Sequence, residues 1–407
     1  MSKWQQVNLG DAIDILSGYA FKSKDFCDKG VPVLKIQNVT NSGVLLNEDT
    51  VFVSEDTAAA LLKYKIHYDD ILITMTGSNI SQFNSVVGRV SKVKFAKPAM
   101  LNQRVGKILL KDKDSFCLDY IFYFLSQEST KIKLAQKASG SANQANISPA
   151  IIKSLKIPML PIEVQRKIAD VLSAYDDLIE NNRKQIKLLE EAAQRLYKEW
   201  FIDLRFPGHE TTPITNGIPE GWERKPISAI AEYLNGFAFK PSDWQKEGKP
   251  IIKIKEMNQG ISDDTPRNNG DCIPAKYLIK AGDILFSWSA TLSVMIWNQE
   301  DGWLNQHLFK VTPAAGISRE FVLQAISNTL SEFQNLTTGA TMKHIQRGKL
   351  DEVFVNVPKS TVMNMFFSHT EPIRNKILTL SSKIKNAMET RDRLLPKLMT
   401  YGLEVNR

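Results

Sequence analysis

The stretch Trp4–Ile36, WQQVNLGDAIDILSGYAFKSKDFCDKGVPVLKI, returns 218 residues later and without a gap as Trp222–Ile254, WERKPISAIAEYLNGFAFKPSDWQKEGKPIIKI. Eleven of the 33 positions are identical, among them Gly18/Gly236, Ala20/Ala238, Phe21/Phe239, Lys22/Lys240, Pro32/Pro250 and Lys35/Lys253. Most mismatches keep their character, as in Tyr19/Phe237 and Phe26/Trp244. The match continues at a shrinking offset. Asp70-Ile71-Leu72 corresponds to Asp283-Ile284-Leu285, Leu101-Asn102-Gln103 to Leu304-Asn305-Gln306, and Ile157-Pro158 to Val357-Pro358. Small deletions at loops shorten the second copy. The period, about 200 residues, is far too long for a solenoid, so each copy is a domain.

Within each copy, short β-rich runs predict strands: VPVLKI, DDILIT and RVGKILL in the first, PIIKIK, GDILFS and LFKVT in the second. Asp119–Ala135 and Arg319–Phe333 read as helices, so each copy is a mixed α/β module. A long helix follows each, with Pro161 and Pro372 standing where a helix can begin. The inward positions of the first are Tyr175, Ile179, Asn182, Ile186, Leu189, Ala193, Leu196 and Trp200. Those of the second are Ile373, Ile377, Leu380, Ile384, Ala387, Arg391, Leu394 and Leu398. Both step 4,3,4,3, at a constant offset of 198. This is a coiled-coil seam, and equal phase favours two seams facing each other. The first helix spans about 50 Å at 1.5 Å per residue. Only about 20 residues separate Trp200 from Trp222. A parallel pair would force that linker to retrace the helix, so the pair is expected to run antiparallel, two modules held apart by a spacer. An axis between Ile186 and Leu189 would set Tyr175 opposite Leu398 and Asn182 opposite Arg391.

Composition agrees with a globular chain. The 407 residues suit two or three domains, 43% are hydrophobic and 24% charged. No apolar run approaches the length of a membrane span, and Met1–Leu16 carries Asp11 and Asp14 with no apolar core, unlike a signal peptide. Cys27, Cys117 and Cys272 lie far apart, excluding a disulfide framework and fitting a reducing cytoplasm. The net charge of +8 is uneven: +6 over residues 1–160, −1 over 161–207, −2 over 208–371 and +5 over 372–407. A polyanionic partner is plausible on this distribution, as is a basic protein with nothing bound.

Catalytic motifs are missing. The pairs Gly106-Lys107, Gly248-Lys249 and Gly348-Lys349 fail the P-loop pattern, no G-x-G-x-x-G occurs, and no Asn-Pro-Pro-Tyr-type run marks an amino-methyltransferase centre. The five histidines are scattered. Asp69-Asp70 resembles a catalytic pair but matches Gly282-Asp283, so it is expected to begin a strand.

Each module instead carries two loops rich in small, amide and hydroxyl side chains. They are Thr74–Ser85 and Ala138–Ser148 in the first, Ser287–Ser293 and Thr337–His344 in the second. Such side chains pair with base edges, while Lys and Arg grip phosphates. The loops diverge most between copies, as two scaffolds reading two different sequences require. The candidate DNA contacts in the first module are Lys22, Lys35, Asn38, Thr76, Ser78, Asn79, Gln82, Asn84, Arg89, Gln103, Arg104, Ser141, Asn143 and Gln144. In the second they are Lys240, Lys253, Lys255, Ser287, Trp288, Ser289, Gln306, His307, Thr341, Lys343 and His344. No residue is a candidate for catalysis or metal binding.

This layout resembles the specificity subunit of type I restriction–modification systems. The resemblance covers essentially the whole chain. It is strongest in Ile179–Pro207 (IENNRKQIKLLEEAAQRLYKEWFIDLRFP) and in the openings Gly18-Tyr19-Ala20-Phe21-Lys22 and Gly236-Phe237-Ala238-Phe239-Lys240. The resemblance implies a non-catalytic subunit in which each of two target recognition domains reads one half of a split DNA target. It also implies two modification (methyltransferase) subunits and two restriction (translocase) subunits as partners, and these, not this chain, would use S-adenosylmethionine, ATP and Mg²⁺. The expected fold is α+β: two tandem pseudo-symmetric α/β target recognition domains, 1–160 and 208–371, separated by an antiparallel two-helix coiled-coil spacer from 161–207 and 372–407. The alternative is a scaffold whose duplicated modules bind proteins rather than DNA.

Overall fold

The structure, a computed structural model, describes residues 4–401 apart from positions 42, 48, 78–86, 140–144, 263–264, 290 and 336–346. The chain divides into two compact units, Met1–Asp177 with Ala387–Arg407, and Leu178–Asn386.

In unit 1 the strands that position the site are β1 (Ile13–Ser17), β2 (Val31–Leu34), β3 (Ile71–Thr74), β4 (Thr76–Gly77), β5 (Val90–Lys92), β6 (Ala99–Leu101) and β7 (Val105–Leu110). Helices α1 (Leu118–Ser126) and α2 (Glu128–Gln136), strand β8 (Ala145–Asn146) and helix α3 (Ile162–Tyr197) follow. A four-stranded antiparallel sheet runs β5-β3-β7-β1, and β2 pairs parallel with β6 in a second sheet. Strand β3 opens with the apolar run Ile71-Leu72-Ile73, in keeping with burial on both its faces. Ile71 and Ile73 join one core with Ile13, Tyr120 and Phe124, while Leu72 joins another with Leu34, Leu101 and Val105. The helix expected over Asp119–Ala135 is two, since Gln127 is extended (φ −62°, ψ 138°).

Unit 2 repeats this plan with β9 (Ala231–Asn235), β10 (Lys249–Ile252), β11 (Ile284–Ser287), β12 (Ser293–Ile296), β13 (Gly302–Leu304) and β14 (Leu308–Pro313). Helices α4 (Arg319–Asn335) and α5 (Ser360–Tyr401) complete it. The sheet order β9-β14-β11-β12 mirrors β1-β7-β3-β5, and β10 pairs parallel with β13. Registers repeat too. Ile15 faces Ile108 and Tyr233 faces Val311; Ile73 faces Gly106 and Phe286 faces Phe309. The duplication read in sequence is thus a duplication of strand pairing.

The two long helices each enter both units. In unit 1, Ile168 and Leu172 of α3 share a core with Leu398 and Met399 of α5. Higher on α3 and lower on α5, Arg391 donates to Asp176 at 2.5 Å. The segments therefore run antiparallel. In unit 2 the far end of α3 and a following π-helical turn (Lys198–Ile202) insert Tyr197, Trp200 and Phe201 among Phe321 and Phe366. Phe201 lies 4.9 Å from Phe366 and 5.0 Å from Phe321 between ring centroids. Here too the segments are antiparallel, Trp200 lying against Phe366 and His369 near the start of α5.

Two expectations are corrected. Helix α5 begins at Ser360, not Pro372. Proline in a helix interior forfeits a bond to the carbonyl four residues back, but Val362, Met363 and Phe366 bury upstream of it, and that apolar burial carries the helix through. The register is also displaced by about one heptad. Arg391 meets Asp176 rather than Asn182, and Trp200 packs on Phe366 and His369. Asn182 is buried, with an amide nitrogen that has no hydrogen-bond partner among the described residues. All sixteen seam residues are buried or half-buried. Among the described residues no helix is long and apolar enough to cross a membrane.

Candidate nucleic-acid interface

The glycine openings explain themselves first. A Cβ on Gly18 would lie 2.3 Å from the Asn102 carbonyl oxygen, and one on Gly236 2.1 Å from that of Asn305. Only glycine lets the backbones approach so closely. The approach is stitched by the same bonds in both units. Tyr19 N donates to Leu101 O at 2.8 Å and Gln103 N to Tyr19 O at 3.0 Å. Phe237 N donates to Leu304 O at 2.8 Å and Gln306 N to Phe237 O at 3.0 Å. Aromatic edges pack the outside, Tyr19 on Phe21 and Tyr64, Phe237 on Phe239 and Tyr277. The result is a rigid turn presenting Gln103-Arg104 in one unit and Gln306-His307 in the other.

The variable loops spring from the same place. In unit 1, β4 pairs antiparallel with β8, Thr76 opposite Asn146 and Gly77 opposite Ala145. Both loops therefore leave one two-stranded patch. Met75 N, just before it, donates to the Arg104 carbonyl at 2.9 Å, and Met75 O accepts from Ile147 N at 2.9 Å. In unit 2, Trp288 lies 6.0 Å from the His307 ring and 5.9 Å from Phe309.

The candidate contacts separate by exposure. Gln103, Arg104, Gln306, Lys22, Lys240 and Lys255 are exposed, and His307 and Trp288 half-buried. The side chains of Gln103 and Arg104 form no hydrogen bond or ion pair among the described residues. Lys35 and Lys253 are half-buried, their ammonium groups 4.5 Å above Phe26 and 4.2 Å above Trp244. Burial holds the Lys253 ammonium below the usual lysine range. Arg89 is half-buried, with Nη1 donating to Val39 O at 3.3 Å, and burial lowers its pKa. Asn38 is interior, its amide bonded to Lys35 N, Leu45 O and Thr50 Oγ1. The amide therefore braces a turn and has little capacity left for a base. Ser287 is buried and donates to the carbonyls of Ser289 and Thr291, Ser289 is buried beside it, and Thr76 Oγ1 donates to Asn146 Oδ1 at 2.8 Å. These hydroxyls shape loop roots. Ser78, Asn79, Gln82, Asn84, Ser141, Asn143, Gln144, Thr341, Lys343 and His344 lie outside the described residues.

Asp70 is a turn residue. Its carboxylate accepts from His67 N at 2.8 Å and Lys107 Nζ at 2.7 Å, and Asp283 accepts from Lys280 N and Lys310 Nζ, both at 2.8 Å. This cross-strand ion pair was legible in sequence as a repeated Asp and a repeated Lys, but went unread. So did the cluster in which Tyr123 OH donates to Asp176 at 2.6 Å beside Arg391. Among the described residues no group of three His, Cys, Asp or Glu side chains is arranged to hold a metal ion.

Two units of matching sheet order each present a polar turn built by the same backbone bonds, and in unit 1 that turn lies beside the shared root of two variable loops, an arrangement that suits a bipartite reader. The chain belongs to the family of the type I restriction modification DNA specificity domain, which matches residues 1–191 and again 219–364. It is 26% identical over 327 residues to the type I restriction enzyme MjaIX specificity subunit of Methanocaldococcus jannaschii, covering 76% of this chain and 74% of that protein. To the MjaVIII specificity subunit of the same organism it is 30% identical over 197 residues, 47% of this chain and 44% of that protein. A type I restriction–modification S subunit from M. genitalium shares the fold over 98% of this chain and 96% of that one, with a TM-score of 0.53 at 16% identity.

Proposed function

We propose that this chain is the non-catalytic DNA reader of a type I restriction–modification complex, each unit reading one half of a split, non-palindromic target. In this reading it works in the cytoplasm and scaffolds two modification subunits and two restriction subunits. S-adenosylmethionine, ATP and Mg²⁺ serve those partners. One observation carries the reading. The bonds that build the turn at Gln103 recur at Gln306, while the side chain beside it changes from Arg104 to His307. A frame kept and a reading surface altered is what two different half-sites demand.

The test is a mobility-shift titration of the chain with its modification subunits on random and target duplexes at low and high salt. Phosphate contacts release counterions, so affinity should fall linearly with salt on logarithmic axes. A flat response, or no binding, would favour a protein-interaction scaffold instead.

A further inference from the structure

We infer that Arg104 and its counterpart His307 are the residues that tell the two half-sites apart, Arg104 reading a guanine edge in one half. The inference rests on the DNA-reading function proposed above and adds a specificity-determining position to it.

The two positions are matched by their backbones. Gln103 N donates to Tyr19 O, Val105 N to Asn102 O and Tyr19 N to Leu101 O, at 3.0, 2.9 and 2.8 Å. In unit 2 the corresponding bonds, Gln306 N to Phe237 O, Leu308 N to Asn305 O and Phe237 N to Leu304 O, measure 3.0, 3.0 and 2.8 Å. Strands β7 and β14 leave these turns in the same register. The residue after the repeated glutamine therefore leaves the same point of the same frame.

What the copies share must serve what both half-sites share, and what differs must serve where they differ. The phosphate backbone is common to both, and the repeated Lys22/Lys240 suits it. Bases are not common to both, and at this turn the glutamine repeats while its neighbour changes. Arg104 is exposed, its side chain forms no bond among the described residues, and its carbonyl anchors Met75 at the root of the first variable loop. A guanidinium on a fixed turn presents two parallel N–H donors, which match guanine O6 and N7 in the major groove. His307 has an imidazole against Trp288 and cannot supply that fork. The second half-site must present a different base there.

The test uses the complex with its modification subunits. Methylome sequencing gives the wild-type motif, and duplexes bearing each single substitution in it are then titrated against R104A, R104K and H307A. Arg104→Ala should lose about 10- to 100-fold discrimination at one guanine of one half-site, leaving the other half unchanged. Arg104→Lys should lose it as well, because one ammonium keeps the charge but not the fork. His307→Ala should relax a position in the opposite half only. Thermal melting should be unchanged for R104A, a control against misfolding. A uniform loss across all duplexes, with the salt slope smaller by about one, would make Arg104 a phosphate contact and overturn the inference, as would R104K reading like wild type. A wild-type complex without sequence-selective binding would overturn the proposed function itself.

Discussion

Removing the guanidinium of Arg391 should weaken unit 1 by a measurable and calculable amount. Arg391 Nη1 lies 2.5 Å from Asp176, the side chains are 24% and 32% exposed, and Tyr123 OH donates to the same carboxylate at 2.6 Å. At an effective dielectric of about 20 and a charge separation of about 4 Å, the gross attraction is about 4 kcal/mol. Desolvation and the partial exposure of both groups cancel more than half of it, leaving about 1–2 kcal/mol for Arg391→Ala. Asp176→Ala should cost at least as much, because it also leaves the buried Tyr123 hydroxyl without its acceptor, even though Arg391 keeps Asp392 at 2.8 Å. In a unit of this size that is a fall of about 3–6 °C in Tm. Urea unfolding followed by Trp4, which packs on the unit 1 core, should give a coupling energy of about 1 kcal/mol in the Asp176/Arg391 double-mutant cycle. A single-mutant effect below about 0.3 kcal/mol with no coupling would mean that the pair is solvated and that packing alone aligns the helices.

Three further outcomes follow from the same geometry. Exchanging residues 1–160 for the first domain of another family member should alter one half of the methylated motif only, read by methylome sequencing; a change in both halves would end the two-reader account. Burial pushes the phenols of Tyr120, Tyr123, Tyr197 and Tyr233 up, with Asp176 adding to the effect at Tyr123. Their neutral forms favour the fold, so that stability is intact below about pH 10 and lost above it, about 1.4 kcal/mol per pH unit for each tyrosine; Tyr233→Phe should flatten the alkaline slope of urea midpoints, and an unchanged slope would refute the assignment. In a fragment 1–207 that pairs with itself, the offset of 198 puts Ala193 where Arg391 stands, leaving Asp176 without its cation. Asp176→Asn should therefore tighten the fragment dimer while weakening the whole chain, by analytical ultracentrifugation and urea melts respectively.

Much of the architecture was legible because the chain states it twice. The offsets between copies foretold that the two units share one plan of elements, since insertions fall between strands and not within them; which strands pair, and in what register, came from the structure. The helix seam was legible as a period but not as a register. A 4,3 repeat looks the same after a slip of seven, and the choice is made by the Trp200, Phe201 and Phe366 contacts, which no local pattern reveals. The early start of α5 escaped for a similar reason, as Pro372 is a strong local signal and the burial of Phe366 a tertiary one. At the interface, residue type alone did not separate side chains that brace a turn from side chains that a turn presents. Asn38 and Ser287 have base-reading chemistry but are used up by their own turns, while Gln103 and Arg104 differ from them only in facing outward.

Unit 2 is one continuous stretch of chain, whereas unit 1 is closed by residues 387–401. Synthesis runs from the N-terminus, so the module made first is the one finished last. Until Leu398 and Met399 arrive, the core that holds Ile168 and Leu172 lacks two of its buried side chains. During translation the first module must wait, partly open, while the second is built and completed. A truncation in the last helix is therefore a lesion of the first module and not of the second.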